Sequence, residues 1–403
     1  MTYGTQTEIT QKAVWSQGDL TQQIRTVSKT CIDCPLCRNE CAFLQKYGSP
    51  KFIADGYVRM DPVHRHEIAF ECSLCGLCNA VCPVGVHPEK LFLLMRQAAY
   101  KQGAGVFSKH ARILNYEKRG FSRRYTWYAI PNHCDTIFFP GCTLPGTRPK
   151  MVKQLYSQLK EIVPNLGLVL DCCTNPSHDL GREHFFQAMF GELKTFLMDS
   201  GVRTVLVACP SCYKMFHQYG QNLSVRTVYE VLSDEPLPAA VSVSGSVLIH
   251  DPCAIRFEFD VQQATRKLIR SMGLTIVEMP HSGEKTVCCG EGGSVGMLSP
   301  DLADHWRDIR KKEAGGQRLI TICAGCAGSL DAVTPISHIL DLIFEPDKAL
   351  SGKSRVSCAP ITYWNRLWLK RWAKQNIGSF ITRERMFRAE FSGEENRQFR
   401  NQH

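Results

Sequence analysis

The sequence predicts an α+β multidomain chain, in which a helical, cysteine-bearing module precedes a duplicated α/β cysteine-rich unit. Three observations carry this. The run C-x2-C-x2-C-x3-C occurs twice, from Cys31 to Cys41 and from Cys72 to Cys82, forty-one residues apart. A second pattern, a single cysteine, then an adjacent pair, then C-x2-C, is also written twice. Short β-rich runs end at these cysteines and alternate with amphipathic helical stretches.

The bulk numbers fit such a chain. Its 403 residues suffice for two or three domains, and 44% hydrophobic with 21% charged residues describes an ordinary globular protein. No run of eighteen apolar residues occurs, so no spanning helix is expected. The N-terminus MTYGTQTEITQKAVW reads as neither a signal peptide nor a twin-arginine leader. A cytoplasmic location is expected, with a peripheral position at the inner membrane face as the alternative. In a reducing compartment, twenty cysteines point to metal or redox chemistry rather than to structural bridges. The net charge is +10, and residues 351–403 hold eleven Lys/Arg against four Glu. That suggests an acidic partner or surface; no nucleic-acid partner is expected.

The helical module is expected over residues 1–105. In C-x2-C-x2-C the backbone winds around one cluster and places three sulfurs on it. The fourth cysteine has started down a helix and, as in two-cluster ferredoxins, reaches the other cluster. One [4Fe–4S] cluster is therefore assigned to Cys31, Cys34, Cys37 and Cys82, and the other to Cys72, Cys75, Cys78 and Cys41. Pro83 follows Cys82 as in the bacterial pattern, whereas Ala42 follows Cys41. Zinc is the competing reading, but zinc sites use separated pairs and leave the third cysteine of each run without a role. HPEKLFLLMRQAAY after the second run has helical apolar spacing. Electron transfer is the chemistry implied.

Residues 106–132, basic and aromatic, are read as a surface linker. The first α/β unit is expected over 133–240, with Cys142, Cys172, Cys173, Cys209 and Cys212. The second is expected over 241–345, with Cys253, Cys288, Cys289, Cys323 and Cys326. Corresponding cysteines are offset by 111, 116, 116, 114 and 114 residues, and a fixed order at near-constant offset means duplication. Strand–loop–helix alternation argues for a parallel sheet, whose ligands gather at strand carboxyl ends. The five cysteines of each unit should converge there.

FFPGC and ACPSC in the first unit, with HDPCAIRF, CCGEGGSVG and ICAGC in the second, make the arrangement recognisable. It resembles the duplicated CCG domain of heterodisulfide reductase catalytic subunits. It is similar also to the iron–sulfur subunits of glycolate oxidase, lactate utilisation and anaerobic glycerol-3-phosphate dehydrogenase systems. The resemblance implies that each five-cysteine set holds a noncubane-type [4Fe–4S] cluster, so one or two further clusters are expected, with no catalytic residue assigned. One departure is CCTNP, where Thr174 stands in place of the glycine; only glycine takes positive φ freely.

Nothing in the chain reads as a flavin or NAD site: GEGGSVG lacks the preceding strand and turn, and is expected to shape the cluster loop. Flavin chemistry is assigned to a partner, with a flavoprotein or ferredoxin donor and a membrane-bound or quinone-linked partner in view. His250, Asp251 and His281 are proton-donor candidates or loop-stabilising groups, while Cys134 and Cys358 are read as free thiols. Residues 346–403 form a basic, aromatic tail in which Trp364, Trp368 and Trp372 share a helical face. That stripe is expected to pack on the α/β domain or dock a partner; an anionic membrane is the alternative. The function implied is an anaerobic-type iron–sulfur oxidoreductase subunit, heterodisulfide reductase-like. The alternative is the electron-transfer subunit of a flavin-dependent 2-hydroxyacid or glycerol-3-phosphate dehydrogenase feeding quinone.

Overall fold

The computed structural model describes residues 19–235 and 243–386. The N-terminal module is helical. Side-chain caps start its first helices: Asp19 accepts from Thr21 N at 2.8 Å before Leu20–Thr30, and Ser49 accepts from Phe52 N at 3.1 Å before Pro50–Gly56. Val27, Phe43, Leu44, Ile53, Leu91, Phe92 and Met95 form its core beneath both cysteine runs. The helix Pro88–Lys101 crosses this core and carries Arg96, fully buried, on its inner face.

Ten strands follow among the described residues: β1 (Trp127–Ile130), β2 (Thr136–Phe139), β3 (Gly167–Leu170), β4 (Thr204–Val207), β5 (Ser224–Thr227), β6 (Ser246–Ile249), β7 (Thr275–Val277), β8 (Leu319–Thr321), β9 (Ile336–His338) and β10 (Ile381–Arg383). They form two sheets, ordered β10-β1-β3-β2-β4-β5 and β7-β6-β8-β9. Within each sheet four parallel strands take the same order, the second beside the first, then the third and fourth. The duplication in sequence is thus a duplication in topology. The chain reverses direction across the sheet between β2 and β4, and again between β6 and β8, which are the switch points where such sheets bind ligands. β2, β3 and β4 are buried almost throughout, as parallel strands with helices on both faces must be.

The two units share one apolar core, and buried polar contacts help to fix their relation. Arg148 Nε donates to both carboxylate oxygens of Asp341 at 2.9 Å, both groups buried. Tyr229 donates to Ala208 O at 2.8 Å and Ile322 O at 3.2 Å, which brings the carboxyl ends of β4 and β8 together.

The stretch read as a linker contains the helix Ala111–Gly120 and β1, which pairs antiparallel with β3. The stretch read as a tail returns to the first sheet: its helix Ile361–Asn376 packs beside β1, and β10 pairs antiparallel with β1 through Tyr128 and Arg383. The tryptophan stripe divides. Trp372 packs edge-on against Tyr156 at 5.8 Å, whereas Trp364 and Trp368 are 67% and 46% exposed. Arg366 and Lys370, the cations beside that stripe, are buried, Lys370 donating to Arg123 O at 2.7 Å. Residues 387–403 of the tail and 1–18 of the module lie outside the described residues. Among the described residues no helix is long and apolar enough to cross a membrane.

Candidate metal centres

Eighteen cysteines fall into four groups. Cys37 lies near Cys31, Cys34, Cys41 and Cys82, and Cys78 lies near Cys72, Cys75 and Cys41, so thiols of the two runs lie side by side. Burial, then the neighbouring thiols, pushes Cys37 and Cys41 up to about 12. Burial likewise pushes Cys75 up to about 11 and Cys72 higher still. Thiols gathered this way cannot ionise together without a cation among them, and a metal supplies it. The donor set fits a cluster. Gly76, at φ +70, opens the helix that carries Cys78; a Cβ there would meet Glu89 Oε2 at 2.8 Å.

The first five-cysteine set stands on the carboxyl ends of its sheet. Cys142 follows β2, Cys172 and Cys173 follow β3, and Cys209 and Cys212 open the helix Pro210–Tyr219 after β4. Contacts link Cys142 with Cys172, Cys173 with Cys212, and Cys209 with Cys212. The Cys172 thiol, then the Arg366 guanidinium, pulls Cys142 down to about 6 against its burial. Gly141 takes φ +79, which favours glycine, and a Cβ there would crowd Cys212 Sγ at 3.1 Å and Cys209 Cβ at 3.2 Å.

The second set repeats this with Cys253 after β6, Cys288 and Cys289 after β7, and Cys323 and Cys326 after β8. Cys253 touches Cys288, and Cys289 touches Cys288 and Cys326, whose thiols pull Cys289 down to about 6. The glycine-rich loop behind Cys289 wedges between this set and the helical module. A Cβ on Gly292 would meet Ser73 O at 2.4 Å and Cys288 Sγ at 3.0 Å.

Thr174 adopts φ +54, as Gly290 in the second unit adopts φ +94, so threonine keeps the backbone turn that glycine makes there. A β-branched residue in this region is strained, at about 1–3 kcal/mol. Its buried hydroxyl has no hydrogen-bond partner among the described residues.

One cavity of about 1090 Å³ joins the two five-cysteine sets. Cys142, Cys172, Cys173, Cys209 and Cys212 line it on one side, and Cys253, Cys289, Cys323 and Cys326 on the other. Cys75 of the helical module also reaches it. Cys41 and Cys75 share an apolar cluster with Cys253 and Cys288, and Arg256 Nε donates to Cys75 O at 2.9 Å across that boundary. The Cys31 set, with Cys78, instead lines a small cavity of about 20 Å³ bordered by Ile32 and Leu36, which are 61% and 47% exposed.

Several residues at these sites were not singled out from the sequence. Tyr116, from the stretch read as a linker, bonds to Cys142 and Thr143. Burial raises its neighbour Glu117 to about 7, although Arg182 and Ser177 favour the charged form. Lys214 lies 3.6 Å from Glu89 and 3.8 Å from Asp179, joining the cavity wall to the helical module. Arg96 was legible only as a lone cation within FLLMRQAA. Asp251 pairs with Arg266 through two contacts of 2.9 Å and accepts from Gly283 N at 2.8 Å, so its role is to hold the loop. His281 bridges Glu313 and Glu40, the latter at 3.0 Å. Cys134, buried, donates to Thr136 O at 3.2 Å, and Cys358 is exposed; both lie outside the four sets.

A model of the 4Fe-4S dicluster domain matches residues 27–86, and a model of the cysteine-rich domain (CCG) matches 136–217 and again 247–331. The chain joins a 4Fe-4S dicluster domain to two cysteine-rich domains. Among its relatives is a subunit of the fumarate reductase (CoM/CoB) of Methanothermobacter marburgensis, 28% identical over 339 residues, 73% of this chain and 66% of that protein. A subunit of the dihydromethanophenazine:CoB–CoM heterodisulfide reductase of Methanosarcina mazei is 24% identical over 272 residues, 60% of this chain and 66% of that protein. The glycolate oxidase iron–sulfur subunit of Escherichia coli is 24% identical over 406 residues, 81% of this chain and 98% of that protein. The chain thus spans just under two thirds of the first two relatives and nearly all of the third. With its dicluster and cysteine-rich domains, it is an iron–sulfur protein related to oxidoreductase subunits.

Proposed function

We propose that this chain is the electron-relay and acceptor-reducing subunit of a heterodisulfide reductase-like complex. The observation that carries this is the serial order of the four cysteine sets. The Cys31 set lies at a surface rimmed by exposed Ile32 and Leu36, where a flavoprotein or ferredoxin donor would dock. The Cys72 set lies inward of it, in apolar contact with the second cysteine-rich site, and both cysteine-rich sites open into one cavity. Iron–sulfur clusters bound by these cysteines would take up and release one electron at a time.

The protein's own part is to hold, orient and exclude water. Cys31, Cys34, Cys37 and Cys82 would hold one cubane cluster, and Cys41, Cys72, Cys75 and Cys78 the other. The ten remaining cysteines would hold the groups facing the cavity. Reducing a disulfide takes two electrons and two protons and yields two thiols, and a cavity with a redox site on each side suits such an acceptor. Lys214, His217 and Arg256 line that cavity among carboxylates, and would position the ends of a polar thiol substrate.

A second reading is the iron–sulfur subunit of a flavin-dependent 2-hydroxyacid or glycerol-3-phosphate dehydrogenase feeding quinone. The match along 98% of the glycolate oxidase subunit favours it. EPR on anaerobically purified protein, oxidised with and without candidate thiols, separates the two. A new paramagnetic signal that requires thiol supports disulfide chemistry at the cavity. Spectra indifferent to every thiol, with reduction by a flavoprotein dehydrogenase, favour the second reading and overturn the first.

A further inference from the structure

The two cysteine-rich sites share topology and all five cysteines, but differ at one buried ring. Three residues before Cys253 stands His250, and three residues before Cys142 stands Phe139, both buried at the carboxyl ends of equivalent strands. Phe139 packs edge-on against Phe216 at 5.2 Å, as an apolar filler would. His250 is 1% exposed, and neither of its ring nitrogens has a hydrogen-bond partner among the described residues. One of those nitrogens and the sulfurs of Cys289 and Cys326 all lie within 4.8 Å of one another.

A ring that only filled space would be served by phenylalanine, as in the first unit. Burying a polar atom without a partner is unfavourable, so an unpaired imidazole persists where something else engages it. A neutral imidazole offers one nitrogen lone pair and one N–H. A metal bound by nitrogen at about 2.0 Å and by thiolate at about 2.3 Å brings its ligand atoms to separations within the spread found here.

We propose that His250 is a nitrogen ligand of the metal group at the second cysteine-rich site, which makes the two sites chemically unlike. Thiolates alone surround the first site, and thiolates with one imidazole surround the second. The coordinating nitrogen gives its lone pair, the other ring nitrogen keeps its proton, and no proton or electron is exchanged in forming the bond. His250 would take the place of one of the five thiolates on the metal, that cysteine remaining a protonated thiol, and where imidazole replaces thiolate on iron the reduction potential rises. The second site, which touches the dicluster domain through Cys75, would therefore hold an electron more readily than the first. The inference rests on the reading that both sites bind iron–sulfur groups.

The test is pulsed EPR on the reduced full-length protein carrying ¹⁵N-histidine, beside unlabelled protein and His250→Phe, with His250→Gln should phenylalanine disturb folding. The expected result is a directly bonded nitrogen coupling that changes with the isotope and is lost in the variant. The second-site signal should then titrate at a lower potential in the variant while the other signals stay put. A second-site signal with no such coupling, or with a potential unmoved by the variant, overturns the proposal and leaves the proposed function standing. A protein with only the two dicluster signals overturns both.

Discussion

Arg96 should hold the three domains together, and its removal should be felt well beyond its own helix. Its Nε donates to Ala69 O at 3.0 Å and its Nη2 to Cys72 O at 2.5 Å, both in the dicluster domain. Its Nη1 donates to Asp179 O at 2.6 Å in the first cysteine-rich domain and to Gly293 O at 2.9 Å in the second. Four carbonyls from three domains thus converge on one buried cation, whose own pKa burial pulls down to about 10. Arg96→Met fills most of the volume and abandons all four acceptors. Each loss of a charged donor costs about 1.5–3 kcal/mol, but these do not add, and relief from burying the cation offsets part. A net loss of about 4 kcal/mol follows, or roughly 5 °C in melting temperature at the unfolding entropy of a 403-residue chain. Arg96→Lys keeps the charge but not the fork, and should recover only part of the loss. Calorimetry on the cluster-loaded protein is the assay, with EPR of the Cys72 set as a second readout because Cys72 O is one of the four acceptors. A shift below about 1 °C for Arg96→Met, with an unchanged spectrum, would refute the idea that Arg96 couples the domains.

Three further outcomes are expected. Cys41→Ser should abolish the EPR signal of the cluster assigned to Cys72, Cys75 and Cys78, while Cys82→Ser abolishes the other; each variant removing the cluster of its own run would break the crossed assignment. Thr174→Gly should raise stability in chemical denaturation by about 1 kcal/mol through relief of its positive φ, and a loss of similar size would mean that the threonine side chain is needed. His110 is packed between Phe70 and Phe107, and burial, then Arg96, pulls its pKa down to about 4. It folds neutral, so the unfolded chain binds the extra proton between pH 6.5 and about 4, and stability should fall by up to about 3 kcal/mol across that window. His110→Phe should flatten this part of the pH profile of melting temperature, and an unchanged slope would exclude His110 as its source.

The cysteine runs and the five-cysteine repeat were legible because each is a local signal, a spacing that one loop or one strand end imposes. The parallel sheets followed from strands that end at cysteines. What escaped was non-local. β1 was hidden in a basic stretch because it is four residues long and pairs in three-residue registers with β3 on one side and, some 250 residues away, with β10 on the other, which leaves no periodic trace. The helix carrying the tryptophans was read by its tryptophan stripe, yet Trp364 and Trp368 face out, while Arg366 and Lys370 face inward to backbone carbonyls and tyrosine rings. The Thr174 departure was visible as a substitution, but its result, a retained turn under strain, depends on the surrounding packing. His250 could be weighed from the sequence only as a proton donor or a loop residue. Its two unpartnered nitrogens are a property of the fold.

The claim that four cysteine sets bind four clusters in series is tested most directly by iron and acid-labile sulfide analysis of anaerobically purified protein. Four sites at four irons each predict roughly sixteen irons per chain. A value near eight, with EPR showing only the two dicluster signals, would contradict the account and leave the cysteine-rich sites without the redox groups it requires.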